Sequence, residues 1–136
     1  GQMLVNDQII NCSEHHLFDL PPVLEVISKY LEGHVLNGSY KTCTLNKHNG
    51  KQQYDLVISN YAFSELPLQL QEKYIFKILK NSKRGYLTMN SGMSSSSFKG
   101  NFLSIDQLKE FLPEIQIIKE EPETANGNYV VVWNKQ

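Results

Sequence analysis

Two acids and a few polar residues at the ends of apolar runs are the side chains best suited to chemistry in this sequence. Asp19 stands in the run His16-Leu17-Phe18-Asp19-Leu20, just ahead of Pro21-Pro22. An acid there can accept two hydrogen bonds from a ribose diol, as nucleotide-binding folds do. It can equally cap the helix that the prolines begin. Ser59-Asn60 closes the run Leu56-Val57-Ile58, and Glu65 follows shortly after. A carboxylate in that place can take a proton from a hydroxyl nucleophile if its surroundings raise its proton affinity toward the working pH. As a charge at a helix N-terminus it would only complement the dipole. Ser59-Asn60 has its own structural reading, the simple end of a strand. Leu45-Asn46 and Asn90-Ser91 are the other polar strand-end positions.

Other chemistries lack their residue patterns. His15, His16, His34 and His48, with Cys12 and Cys43, have no metal-ligand spacing, so buried or idle thiols and no metal are expected. There is no glycine-rich phosphate loop, no paired-cysteine motif and no G-x-S-x-G elbow. Lys80 to Arg84 reads as a solvated helix end rather than a phosphate site. Thirteen Lys+Arg against fourteen Asp+Glu give a net charge of -1, which argues against a domain holding nucleic acid by neutralising phosphates. No apolar run approaches the roughly 18 residues of a membrane helix, and no signal-peptide pattern opens the chain. No membrane partner and a cytoplasmic location are expected. The 136 residues, 40% of them hydrophobic, suit a single globular domain over 1–136.

The elements that must position these residues follow from pattern. Residues 3–10 have helical spacing with nothing before them to supply an entry turn or cap. A strand over 16–20 leads to a helix from Pro21 to about Leu31, with Gly33 as its natural stop. Residues 40–45 read as a strand and 47–53 as a loop around Asn49-Gly50. The run 56–58 suits a strand buried on both faces of a parallel sheet. A helix follows Pro67 to about Leu79, then a strand over 85–90 and a loop over 91–100 with four serines. Ser104-Ile105-Asp106-Gln107 is a capping box, with Leu103 and Leu108 spaced as a hydrophobic staple. The helix after it ends at Pro113, and two strands, 114–119 and 129–133, flank an acidic turn. Alternating strands and helices predict a layered α/β domain with a mainly parallel sheet, its last two strands antiparallel to each other.

Several of these residues carry a family resemblance. Phe18-Asp19-Leu20-Pro21, with a helix ending Lys29-Tyr30-Leu31, resembles the second strand and helix of class I S-adenosylmethionine-dependent methyltransferases. Tyr54-Asp55-Leu56-Val57-Ile58-Ser59-Asn60-Tyr61-Ala62-Phe63-Ser64-Glu65-Leu66 is similar to the fourth-strand motif of a sugar O-methyltransferase group, and Asn81-Ser82-Lys83-Arg84-Gly85-Tyr86 continues it. The resemblance covers almost the whole chain and is most specific in its middle. It implies a Rossmann-like three-layer methyltransferase fold with S-adenosylmethionine as cofactor. It implies that Asp19 holds the cofactor ribose and that Leu20 lies beside the adenine or ribose. Ser59, Asn60 and Tyr61 would line the methionine and methyl end. Glu65 would approach the acceptor, a sugar or similar hydroxylated small molecule. The reaction would be in-line methyl transfer to oxygen, which needs alignment and a base but no metal.

The chain departs from the family pattern at its start. The family opens with a strand and a glycine-rich turn; Gly1-Gln2 resembles only the tail of that turn, leading straight into a helix. The expectation is an N-terminally truncated domain whose cofactor site begins at Gly1 and Gln2. The absent strand is central in the family, so its neighbours would be left with unpaired edges. Direct pairing of those neighbours or a homodimer formed by strand exchange would relieve them. A non-catalytic binding module of the same fold is the alternative function. A flavodoxin-like or receiver-like domain ranks behind both, because only Asp19 is well placed among the clustered acids a receiver needs.

Overall fold

The computed structural model describes residues 12–91 and 103–135. The helix expected over 3–10, the residues Gly1 and Gln2, and the four serines at 94–97 lie outside the described residues. The fold divides into two compact units between His48 and Asn49. No helix among the described residues is long and apolar enough to cross a membrane.

The smaller unit is a β-α-β crossover. Strand β1 (Glu14–Phe18) pairs in parallel with β2 (Ser39–Cys43), Glu14 opposite Ser39 and Phe18 opposite Cys43. Helix α1 (Pro21–Leu31) joins them, its prolines in the first turn, where a missing amide leaves no bond unmade. Leu24 and Leu31 are its buried residues. Gly33 does not end the helix through a left-handed conformation; only Gly50 and Gly127 are the glycines with positive φ among the described residues. The end closes instead on right-handed Glu32, whose amide donates to Ser28 O at 3.0 Å, while the amide of His34 donates to Leu31 O at 2.9 Å. Polar donors finish the last turn, so the glycine's freedom is not used there.

The larger unit holds β3 (Tyr54–Asn60), a short 3-10 turn (Ala62–Glu65), α2 (Leu68–Lys77), β4 (Ser82–Met89), α3 (Ile105–Phe111), β5 (Gln116–Lys119) and β6 (Tyr129–Asn134). Its four strands lie in the order β3-β4-β6-β5. Strands β3 and β4 are parallel, and β6 runs antiparallel to both β4 and β5. Hence β5 points the same way as β3 and β4. The C-terminal ends of all three, with the start of β6, share one edge of the sheet.

Where one sheet was expected, the described ladders form two, of two and four strands. The expectation that β3 is buried on both faces is corrected as well. Among the described residues it is an edge strand bonded to β4 alone, and Leu56 is 38% exposed. Side chains alternate between sheet faces, so Gly85, Leu87 and Met89 share one face with their cross-strand neighbours Trp133, Val131 and Tyr129. Leu87, Met89, Val131 and Trp133 are buried, as are Ile75, Leu108 and Leu112. That face is the core. The opposite face leaves Leu56, Tyr86 and Ile118 exposed.

Two side-chain devices fix the helices of this unit. The buried Gln71 amide donates to Phe63 O and accepts from the Leu103 amide, both at 2.9 Å, joining the 3-10 turn to the approach of α3. Ser104 and Gln107 form the expected capping box: the Gln107 amide donates to Ser104 Oγ at 3.2 Å and the Ser104 amide to Gln107 Oε1 at 2.9 Å. Leu103 and Leu108 are both buried beside it.

Candidate functional site

A polar network lies at the shared strand-end edge of the larger unit. Directly after β3, Tyr61 takes φ 61°, the positive-φ residue other than glycine among those described. A bulky side chain in such a conformation costs about 1–3 kcal/mol and persists only where its neighbours impose it. Here they do. The Tyr61 amide donates to both Thr88 O and Thr88 Oγ1 at 3.0 Å. Its carbonyl accepts from the Ser64 amide at 2.9 Å and from the Ser64 hydroxyl at 2.6 Å. Its phenol donates to Glu120 Oε1 and lies 2.7 Å from Thr124 Oγ1.

Glu120 follows β5 and is buried. Its other oxygen, Oε2, accepts from the Thr124 amide at 2.9 Å and the Thr124 hydroxyl at 2.8 Å. The Tyr61 hydroxyl and then the Thr124 amide hold its carboxyl below the ordinary carboxylate value. The same carboxylate, by accepting the Tyr61 proton, pushes the phenol above its ordinary value. Asn128, also buried, donates to Thr124 Oγ1 at 3.1 Å and accepts from the Ser91 amide at 3.0 Å.

Around this network stand the residues singled out in the sequence. Ser59 is turned to local structure, its hydroxyl accepting from the Phe63 amide at 3.1 Å. Asn60 is exposed at the end of β3. Glu65 ends the 3-10 turn and is exposed; Asn90 donates its side-chain amide to Glu65 Oε1 at 3.0 Å, and Oε2 has no partner among the described residues. The Asn90 amide in turn donates to Ser64 Oγ at 3.0 Å. The fold therefore gathers Ser59, Asn60, Tyr61, Glu65, Asn90 and Ser91 on one edge.

Glu120, Thr124 and Asn128, read from sequence as an acidic turn, belong to this edge too. Their equal spacing of four is the signal the sequence offers. Nothing local says that the turn between two antiparallel strands reaches a residue after β3.

In the smaller unit Asp19 follows β1 and is exposed. Its Oδ1 accepts from the Leu20 amide at 2.7 Å. The helix cap falls on Leu20 with no side-chain capping bond, so Asp19 does not cap the amides of α1. Among the described residues Oδ2 has no hydrogen-bond partner, and Leu20 is 68% exposed beside it. Gly1 and Gln2 lie outside the described residues. Leu45 is buried, which takes it out of the group of open strand-end positions. Among the described residues no three His, Cys, Asp or Glu side chains gather as metal ligands would.

No family model matches the chain, and no curated protein matches it. Solved structures do resemble it. A structure of LepI in complex with SAM superposes with a TM-score of 0.63 at 12% identity, over 98% of this chain and 39% of LepI. A structure of PigF with SAH gives 0.61 at 13% identity, over 99% of this chain and 46% of PigF. TehB from Haemophilus influenzae gives 0.58 at 15% identity, over 89% of this chain and 49% of TehB. The chain thus spans less than half the length of these proteins, and at such identities the likeness is one of fold. Parallel strands joined through helices and an antiparallel final strand agree with it: the chain has a Rossmann-like α/β fold, shared with the SAM- and SAH-bound structures of LepI and PigF.

Proposed function

We propose that this chain is part of the catalytic domain of an S-adenosylmethionine-dependent O-methyltransferase whose acceptor is a sugar or a similar hydroxylated small molecule. The observation that carries this reading is the likeness of fold, over 98% and 99% of the chain, to proteins whose structures hold SAM and SAH. The described residues fit such a cofactor in donor and acceptor type. Asp19 keeps one carboxylate oxygen open for ribose hydroxyls, and the exposed Leu20 offers apolar surface to the adenine or ribose. Asn60 and Tyr61, with Ser59 shaping the turn, border the methionine end. Gly1 and Gln2 belong to the same proposed site.

The cofactor supplies an electrophilic methyl group on a sulfonium. Asn90 holds one oxygen of Glu65, so the carboxylate is oriented and its free oxygen is the group to take the proton of an acceptor hydroxyl. The sugar acceptor rests on the sequence similarity of the segment from Tyr54 to Leu66.

Isothermal calorimetry of the chain with S-adenosylhomocysteine tests the cofactor. Saturable binding is expected, and Asp19→Asn should weaken it about 10- to 100-fold, the worth of a hydrogen bond to a charged group. Absence of binding by the unaltered chain refutes the reading for this polypeptide. Incubation with S-adenosylmethionine and a panel of sugars and nucleotide sugars then reads methyl transfer by mass. Binding without transfer to any hydroxyl favours the non-catalytic module.

A further inference from the structure

The hydrogen bonds at the strand-end edge close into a circuit. From the Tyr61 phenol it runs to Glu120, from Glu120 to Thr124, and from Thr124 to Asn128. It continues from Asn128 to the Ser91 amide, through the chain to Asn90, and from the Asn90 amide to Ser64. Ser64 returns it to the Tyr61 carbonyl. The circuit joins the far ends of β3, β4 and β5 and the start of β6.

Sheet pairing does not require this connection. Strands β3 and β5 are the opposite edges of the sheet, with β4 and β6 between them. At about 4.8 Å per strand those edges are roughly 14 Å apart, so the tie spans the whole width of the sheet. Its centre is also an expensive choice. Burying a carboxylate is unfavourable unless its lone pairs are all used, and Glu120 has no cation partner among the described residues. It is satisfied by neutral donors: the Tyr61 phenol and the amide and hydroxyl of Thr124. A carboxylate only accepts, so it directs the phenol and Thr124 hydroxyl protons toward itself and sets the sense of the network. The residue held at the other end of the tie is the strained one, Tyr61, with Asn60 before it and Glu65 four positions on.

We propose that Glu120 is a positioning residue for the strand-end site. Through the Tyr61 hydroxyl it holds the left-handed turn after β3, and so sets the Asn60 carboxamide and the Glu65 carboxylate for a ligand. The effect on ligand rests on the cofactor reading above; the hold on the turn does not.

The test uses the full chain with Tyr61→Phe, Glu120→Gln and the pair together. Amide hydrogen exchange should speed at Tyr61 and Ser64 in each variant while the β3–β4 ladder stays protected, a local change that general destabilisation would not give. Each single substitution should weaken S-adenosylhomocysteine binding about 10-fold. The pair should be no weaker than the poorer single by more than about 2-fold, since both cut one tie. Unchanged exchange at Tyr61 and Ser64, or variants that bind as the unaltered chain does, overturns the proposal. If the unaltered chain itself fails to bind, the cofactor reading falls and exchange alone decides the hold on the turn. If Glu120→Gln does not fold, Tyr61→Phe, which removes one oxygen atom, decides.

Discussion

Asp19 and Glu120 are both acids placed just after a strand, yet only one of them could be singled out before the fold was known. Asp19 announces itself because its neighbours in sequence are its neighbours in space: an apolar strand before it and a proline-led helix after it. The structure removes its capping reading, because its bonded oxygen goes to Leu20 rather than to the helix amides. Glu120 takes its meaning from Tyr61, which is distant in sequence, so no local pattern reveals it. That partnership also links its contribution to stability to pH. Its carboxyl is lower in the folded chain than the ordinary 4.5, because the Tyr61 hydroxyl and the Thr124 amide bond the anion. A lowered carboxyl binds fewer protons folded than unfolded, so its stabilisation is present above pH 4.5 and is lost as pH falls through the folded value. Glu14 beside Lys41 and His16, and Asp55 beside Lys83, shift the same way but are exposed and screened. Urea unfolding between pH 7 and pH 3 should therefore show stability falling below about pH 4.5, with a shallower fall in Glu120→Gln.

At the scale of elements, what was readable was what is local. The capping box at Ser104 and Gln107 formed as its spacing implied, and Pro21 and Pro22 sit in the first turn of α1. These features need only residues within one helical turn. The helix ends at Leu31, just ahead of Gly33 as its pattern implies, but it closes in the right-handed conformation through Glu32 and His34, whose donors are available to any chain end. Strand β4 begins at Ser82, ahead of the apolar run, because its first residues are held by pairing with β3 and β6 rather than by their own character. Gly85 lies in that stretch, and its reason is tertiary. A Cβ there would come within 2.0 Å of Cη2 of Trp133, its buried cross-strand partner. Trp133 is further held by its Nε1 donating to Ser82 O at 3.3 Å. Gly85→Ala should accordingly lower stability by about 1–3 kcal/mol or more, as an overpacked core does, and thermal unfolding will measure it.

For the molecule as a whole, the described ladders leave β1 bonded to β2 alone and β3 bonded to β4 alone. A strand with one unpaired side is a template for another chain. We propose that the protein self-associates, a homodimer being the simplest closed form. Sedimentation equilibrium at micromolar concentration should then show a dimer, and a well-folded monomer would count against it. The alternation of strands and helices, the antiparallel last strand and the place of Asp19 were determined by sequence alone, because each follows from periodicity or from turn chemistry within a few residues. The division into two sheets, the exposure of β3 and the circuit from Tyr61 through Glu120 to Asn128 were decided only in three dimensions. Each depends on which strands become neighbours, and strand pairing is set by contacts between segments that no local pattern connects.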